Sequence, residues 1–442
     1  MGSGILSSGR LVGAVRISGH AAYLSPSAPE PCRDCFARRD RRRMRIGIDA
    51  RLLTYRRGMG NYVCSLMGSI SQLPSRHEFF LFVNAADARN PQTLPAIPAT
   101  WKLVGLPGGN YAVQEQIALP ALLLRNRIDV LHCPANTFPL FLPAKVALVV
   151  TIHDVMYLMP QRYLGGRSSV YQRFGRAYRR LVVSRLRHRA ASLLTVSNRS
   201  AEDIAAYLGV PRATITVTYE AAPPQFRRIE AGSEALNAVR ARRNLERSFI
   251  LALGGIDPRK NTDAVLMAYL AFRRRSNLRH KLAIVGLPDG ATARLARIAE
   301  RAGLAQDVKF LGFVSEDELV SLYNSASMFV YPSRYEGFGL PVLEAMSCGT
   351  PVIASTAGAV PEVAGDAAIL VDPDNARALS DAMIALASDT SMQRALSAKG
   401  LRRAGEFSWA QCARQTVEAY ERAHPHEYSI RNRSTAVSAD TR

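Results

Sequence analysis

The sequence predicts an α/β protein made of two doubly wound, Rossmann-like units that face each other across a cleft. Three observations predict it. From Met44 onward, short apolar runs alternate with longer helical patterns, as in parallel sheets covered by helices on both faces. The alternation pauses once, over the Ala-, Pro- and Arg-rich residues 220–247, and then resumes. The chain has 442 residues, too many for one ordinary core.

In the first unit, strands are expected at 44–49, 78–83, 101–105, 128–133, 146–152, 192–197 and 214–219. Helical patterns fill the gaps, for example at 60–73, 113–125, 168–188 and 199–208. In the second, strands are expected at 248–254, 281–285, 308–311, 328–332, 351–354 and 368–371. The expected organisation is a basic, disordered extension at 1–43, an N-terminal unit at 44–225 and a C-terminal unit at 226–406. A helix at 407–425 and a disordered tail at 426–442 follow. The extension ends in Arg-Arg-Asp-Arg-Arg-Arg and has no apolar core for a signal peptide. Met-Arg-Ile-Gly-Ile-Asp then opens as a first strand, so Met44 is read as the functional start.

Composition narrows the classes. The 48% hydrophobic content is ample for globular cores. No apolar stretch approaches the roughly 20 residues of a membrane span, and the nearest, 136–152, is broken by prolines and Lys145. Cys64, Cys133, Cys348 and Cys412 stand singly in apolar surroundings and read as small buried hydrophobes in a reducing, cytoplasmic compartment. Cys32 and Cys35 form a lone C-x-x-C without the second pair or histidines that zinc needs, so no metal is expected.

The formal charge is +21, and its distribution is informative. Between Asp154 and Glu202 lie ten arginines and no acidic residue. Arg173, Arg176, Arg180 and Arg187 recur at helical spacing, with Val170, Phe174, Ala177 and Leu181 on another face. Such a basic amphipathic helix over 168–188 suits an anionic membrane surface, which would make the protein peripheral on the inner face of the cytoplasmic membrane. Nucleic acid is not expected as a partner, since neither a binding motif nor an aromatic stacking platform is present.

Residues 331–351 carry the most chemistry. Glu336 and Glu344 are separated by seven residues that include Gly337, Gly339 and the start of a helix. Pro341 suits a first helical turn. The N–H groups of Phe338, Gly339 and Leu340 would then point outward at a helix N-terminus, which favours an anion. A central anion site with a carboxylate on either side fits a nucleotide sugar.

These residues resemble the E-x7-E motif of the retaining glycosyltransferases of family 4, which have the GT-B fold. The resemblance spans about residues 44–425. It implies a C-terminal helix that crosses back to the N-terminal unit, and a catalytic Glu336 facing the donor sugar with Glu344 on the ribose diol. It implies no metal and no cofactor beyond the nucleotide-sugar co-substrate. Gly254-Gly255-Ile256-Asp257-Pro258-Arg259-Lys260-Asn261 is similar to the family's phosphate segment, which assigns Arg259 and Lys260 to the departing diphosphate. Many members carry an arginine where this chain has Ile256. Gly58 and Gly60 match a glycine loop facing the donor; Arg51, in the same loop, is expected near the acceptor. His153, at the end of an apolar strand, matches a histidine that hydrogen-bonds the sugar. Thr195–Ser200 matches a V-S-x-x-S segment in which Ser197 caps the next helix, with Arg199 reaching toward the cleft. Thr218–Ala222 departs from the family's Asn-Gly-Val at the junction. Asp372-Pro373-Asp374 spells D-x-D but reads as a turn.

The motifs look most like those of bacterial mannosyltransferases of surface polysaccharides. The expectation is transfer of a hexose, first of all mannose from GDP-mannose, to a glycan or lipid-linked oligosaccharide. Two alternatives stay open: another GT-B enzyme, such as a sugar-nucleotide epimerase or a phosphorylase, and a non-catalytic membrane-associated protein of the same fold.

Overall fold

The computed structural model describes residues 43–55, 58–159, 170–245 and 248–423. Residues 1–42 of the basic extension, with Cys32 and Cys35, and the 426–442 tail lie outside the described residues.

All thirteen expected strands form. The first sheet holds β1 (Arg45–Asp49), β2 (Glu78–Asn84), β3 (Lys102–Leu106), β4 (Val130–Cys133), β5 (Ala147–Thr151), β6 (Ser192–Thr195) and β7 (Ile215–Val217). Their order is β3-β2-β1-β4-β5-β6-β7, and every pairing is parallel. The second sheet holds β8 (Phe249–Leu253), β9 (Lys281–Val285), β10 (Val308–Gly312), β11 (Met328–Tyr331), β12 (Val352–Ser355) and β13 (Ala368–Val371). Its order is β10-β9-β8-β11-β12-β13, again all parallel. Central strands such as Phe249–Leu253 are apolar along their whole length because helices cover both faces.

Six helices matter for the site: α1 (Met59–Ile70), α2 (Val170–Val183), α3 (Asn198–Leu208), α4 (Leu340–Ser347), α5 (Val360–Ala364) and α6 (Trp409–Ala423). Of the expected 168–188 helix, residues 168 and 169 lie outside the described residues, and a separate 3-10 turn takes Leu186–His188. The expected helix at 113–125 contains a π-helical turn, Gln114–Ala118, which brings both Gln114 and Glu115 inside.

α6 crosses back to the first sheet, as the resemblance implied. Trp409, Cys412, Ala413, Ala419 and Tyr420 share a core with Ile46, Ile48, Leu66 and Val149. Tyr420 Oη and His132 Nδ1 lie 2.7 Å apart. Burial drives the His132 ring down to a pKa of about 3, so it is neutral there.

Strand order reverses between β1 and β4 in one sheet, and between β8 and β11 in the other. Ligands of open α/β sheets bind beyond the carboxyl ends of strands at such points. The loops leaving β1, β8 and β11 carry Arg51 and Gly58, Arg259 and Lys260, and Glu336, respectively.

Candidate active site

The loop after β8 is built by its own side chains. Asp257 Oδ1 accepts the Arg259 N–H at 3.0 Å, fixing the short 3-10 turn Pro258–Lys260, and Oδ2 accepts Arg259 Nε at 2.9 Å. Asn261 sits at φ 54°, in the left-handed region that Asn tolerates. Its buried amide donates to the carbonyls of Pro332 (3.1 Å) and Pro373 (2.6 Å). One side chain thus ties together the loops after β8, β11 and β13. Asp372-Pro373-Asp374 is a turn: Asp372 Oδ1 accepts the Asp374 N–H at 2.9 Å, and Asp374 pairs with Arg334.

Glu336 lies at the centre. Its Oε1 accepts from Lys260 Nζ (2.9 Å), Tyr331 Oη (2.7 Å) and Ser333 Oγ (2.7 Å). Lys260 also donates to the Tyr331 hydroxyl. Oε2 faces Arg259 Nη1 at 3.9 Å and accepts no hydrogen bond among the described residues. Burial would raise this carboxyl, but Lys260, Arg259 and the two hydroxyls outweigh it and lower its pKa to about 2. The result is a permanent carboxylate with one oxygen saturated and the other open. Gly358 is required beside it, because a Cβ there would come within 2.7 Å of the Glu336 backbone.

Next along the chain, Gly339 takes φ 116° and α4 begins, with Pro341 in its first turn. The N–H groups of Phe338, Gly339 and Leu340 meet no acceptor among the described residues. Backbone donors without a protein acceptor thus stand at a helix start a few residues from Glu336. Glu344, one turn into α4, is held by Tyr323 Oη at 3.3 Å. Burial pushes its carboxyl up to about 7 against that bond, and the charges of Glu316 and Glu220 push the same way.

Two expectations for the N-terminal half need correction, those for His153 and Arg51. His153 does stand at the end of β5, but both ring nitrogens are engaged by the protein. Nε2 donates to the Pro134 carbonyl at 2.8 Å, and Nδ1 lies 3.3 Å from Glu220 Oε1. Burial opposes protonation, yet Glu220 outweighs it and raises the pKa. A buried ring engaged at both nitrogens has no free donor for a sugar. Gly60 has a need of its own for glycine, since a Cβ would overlap the Tyr55 carbonyl. Gly58 takes φ 51°, a left-handed conformation that favours glycine, with open space where a Cβ would stand. Arg51 is 2% exposed and cannot meet an acceptor. Its guanidinium is held by Asp49 (2.6 Å), Glu115 (3.2 Å) and the Tyr111 carbonyl (2.9 Å).

The two halves touch at the site itself. The Gly337 carbonyl accepts from Ser197 Oγ at 2.6 Å, and a Cβ on Gly337 would lie 2.5 Å from the His153 carbonyl. Ser197 also caps α3 as expected, accepting the Ser200 N–H at 3.0 Å. The Arg199 side chain is half exposed and pairs with Asp203. Tyr331, Ser333, Glu220 and Glu362 were not anticipated. The first two carry a readable signal, hydroxyls five and three residues before Glu336. The others act across loops distant in sequence.

Comparison with known proteins bears on the family and the fold. Residues 236–403 match the family model "Glycosyl transferases group 1", and residues 56–225 match "Glycosyltransferase Family 4". Over 232 residues the chain is 35% identical to the O-antigen chain mannosyltransferase B of Escherichia coli, covering 52% of this chain and 61% of that protein. The chain thus spans less than two thirds of this curated relative. Among solved structures, a sucrose-phosphate synthase from Thermosynechococcus elongatus superposes with TM-score 0.66 at 19% identity, covering 86% of this chain and 98% of that one. Anabaena Alr3699/HepE, solved with UDP and glucose, superposes with TM-score 0.63 at 18% identity, over 85% of this chain and 98% of that one. At such identities the structural likeness shows the GT-B fold alone.

Proposed function

Because the chain belongs to the glycosyltransferases that these two models describe, we propose that it moves a hexose from a nucleotide sugar to a glycan or lipid-linked oligosaccharide, with retention at the anomeric carbon. The observation that carries this reading is Glu336: a carboxylate held ionised by Lys260 and Arg259, with an Oε2 that accepts no hydrogen bond among the described residues, a few residues before three N–H groups that meet no acceptor there.

In this reading the diphosphate lies against the N–H groups of Phe338, Gly339 and Leu340, beside Lys260 and Arg259. Charge that develops on the leaving group is met by donors already in place, so little reorganisation is needed. These cations supply the neutralisation that a divalent metal gives in other transferases. Glu336 Oε2 orients the sugar, and Glu344 accepts from the ribose hydroxyls. The acceptor hydroxyl attacks from the face that the diphosphate leaves. The C–O bond to phosphate breaks, the C–O bond to the acceptor forms, and the acceptor proton passes to the departing phosphate oxygen. The buried His153–Glu220 pair fixes the end of β5 beneath the site and does not touch the sugar.

Mannose from GDP-mannose is the first donor, supported by the mannosyltransferase relative. The proposed setting is the inner face of the cytoplasmic membrane. Phe174 and Leu181 of α2 are 58% and 56% exposed, and Arg173 and Arg180 are exposed on the same helix. No helix among the described residues is long and apolar enough to cross a membrane. Contact through α2 needs no span: arginines meet lipid phosphates and the apolar side chains enter the interface.

The test is nucleotide release from GDP-mannose, UDP-glucose, UDP-galactose, UDP-N-acetylglucosamine and dTDP-rhamnose, with Glu336→Gln and Lys260→Ala beside the wild type. One donor should be turned over, and each variant should lose about 100- to 1,000-fold in rate. Near-normal turnover in either variant refutes the assignment. Isomerisation of the donor sugar without transfer indicates an epimerase instead.

A further inference from the structure

The N-terminus of α3 holds two pieces of the opposite half at once. Ser197 Oγ donates to the Gly337 carbonyl at 2.6 Å, and Ser200 Oγ lies 2.9 Å from the same oxygen. One residue further, the backbone N–H groups of Asn198 and Arg199 donate to Glu362, at 2.8 Å to Oε1 and 3.0 Å to Oε2. The Asn198 side-chain amide, at 3.0 Å, and Tyr219 Oη, at 2.8 Å, also donate to Oε1. The first turn of a helix has N–H groups without intrahelical partners and a favourable dipole for a carboxylate. Here the carboxylate comes from the other sheet's unit.

Both captured groups are next to Glu336 in structure. Gly337 follows it in sequence. Glu362 lies on α5, directly after Gly358, which cradles the Glu336 backbone, and Ala359, whose N–H donates to the Glu336 carbonyl at 3.0 Å. The far side of α5 is tied to the helix that precedes α6, Thr390–Gly405. Arg403 donates to the carbonyls of Glu362 (2.6 Å) and Val363 (3.0 Å), and its guanidinium covers the Phe407 ring at 4.8 Å.

We propose that Glu362 is a positioning residue. With Ser197 and Tyr219 it clamps the two halves together in the closed state and so sets where Glu336 stands relative to the N-terminal half. The clamp leaves the nucleotide-binding groups of the C-terminal half alone, so its effect should fall on turnover and not on nucleotide affinity. The kinetic part rests on the glycosyl-transfer reading; the clamp itself does not.

The experiment uses the full chain with Glu362→Gln and, as a milder change that removes one donor, Tyr219→Phe. Hydrogen exchange of peptides covering 197–200 and 336–339 is measured with GDP bound, together with GDP affinity and turnover of the donor that the wild type uses. In Glu362→Gln both peptides should exchange faster, turnover should fall about tenfold or more, and GDP affinity should stay within about twofold. Tyr219→Phe should move the same readouts less. Unchanged exchange in both peptides overturns the clamp, and so does a loss of GDP affinity as large as the loss of turnover. A wild type that turns over no donor refutes the transfer reading, while the exchange result still decides the clamp.

Discussion

Two clusters of the same residue types occupy corresponding places in the two halves. In the N-terminal half, Arg51 is set between Asp49 and Glu115, with side chains 2%, 5% and 0% exposed. In the C-terminal half, Lys260 and Arg259 are set around Glu336, with side chains 25%, 16% and 12% exposed. Both lie beyond a strand at the point where sheet order reverses. In the first, every strong donor and acceptor is matched: Glu115 also accepts from Thr137 at 2.7 Å and from Tyr178, and burial raises its carboxyl. In the second, one carboxylate oxygen and the adjacent helix N–H groups are left open, and the two cations keep Glu336 ionised. The lesson is that charge at a switch point does not make a site. Unsatisfied bonding capacity facing the cleft does, and the sealed cluster is scaffold.

That contrast can be broken most forcefully at Arg51. Arg51→Ala leaves two carboxylates buried without their cation and should cost about 3–5 kcal/mol in urea denaturation. GDP-mannose binding by the surviving folded fraction should be unchanged. A stable variant with impaired acceptor use would show that the first cluster is a site after all.

The surface of the N-terminal half should matter next. Reversing the charge of Arg173, Arg176 and Arg180 together should remove on the order of 3 kcal/mol of binding to phosphatidylserine vesicles, at about 1 kcal/mol per arginine near the surface. Co-sedimentation at two salt concentrations measures it. Unchanged binding rules out α2 as the membrane contact.

The smallest effect sharpens the comparison within the C-terminal cluster itself. Glu336 stays ionised at any ordinary pH, whereas Glu344 titrates near 7. GDP-mannose has no group titrating there, so its affinity should rise with pH through about 7 as Glu344 ionises and accepts from the ribose. Glu344→Gln should flatten that profile and weaken binding at pH 8 by about tenfold. The stability effect runs the other way. A carboxyl raised above its unfolded value favours the fold below the usual carboxylate range, and that contribution is lost as pH rises through about 7. Glu336, lowered to about 2, contributes fully above the usual carboxylate range, and that contribution is lost as pH falls from that range through about 2. A pH-independent affinity in the wild type would remove Glu344 from the ribose.

Much of this was legible in the chain. Fully buried parallel strands must be apolar throughout, so all thirteen could be placed from short apolar runs. The E-x7-E stretch and Pro-Arg-Lys-Asn are contiguous, and local backbone rules put their donors at a turn and a helix start. Reading failed where a side chain's partner comes from elsewhere in the fold. His153 was placed correctly at a strand end, but Pro134 and Glu220 decide that its nitrogens are engaged. Arg51 looked like a loop arginine until the π-helical turn brought Glu115 beneath it.

By itself, then, the sequence determined the two sheets, the last helix and the positions of Glu336, Lys260, Arg259 and Glu344, because periodicity and turn chemistry act over a few residues; that the last helix crosses back was implied by the family resemblance. Only the tertiary structure decided which charges are sealed and which stay open, and that α3 grips Gly337 and Glu362 across the cleft. Burial and hydrogen-bond satisfaction depend on groups far apart in sequence, such as Asn198 and Glu362, which are separated by 164 residues, and no local pattern specifies them.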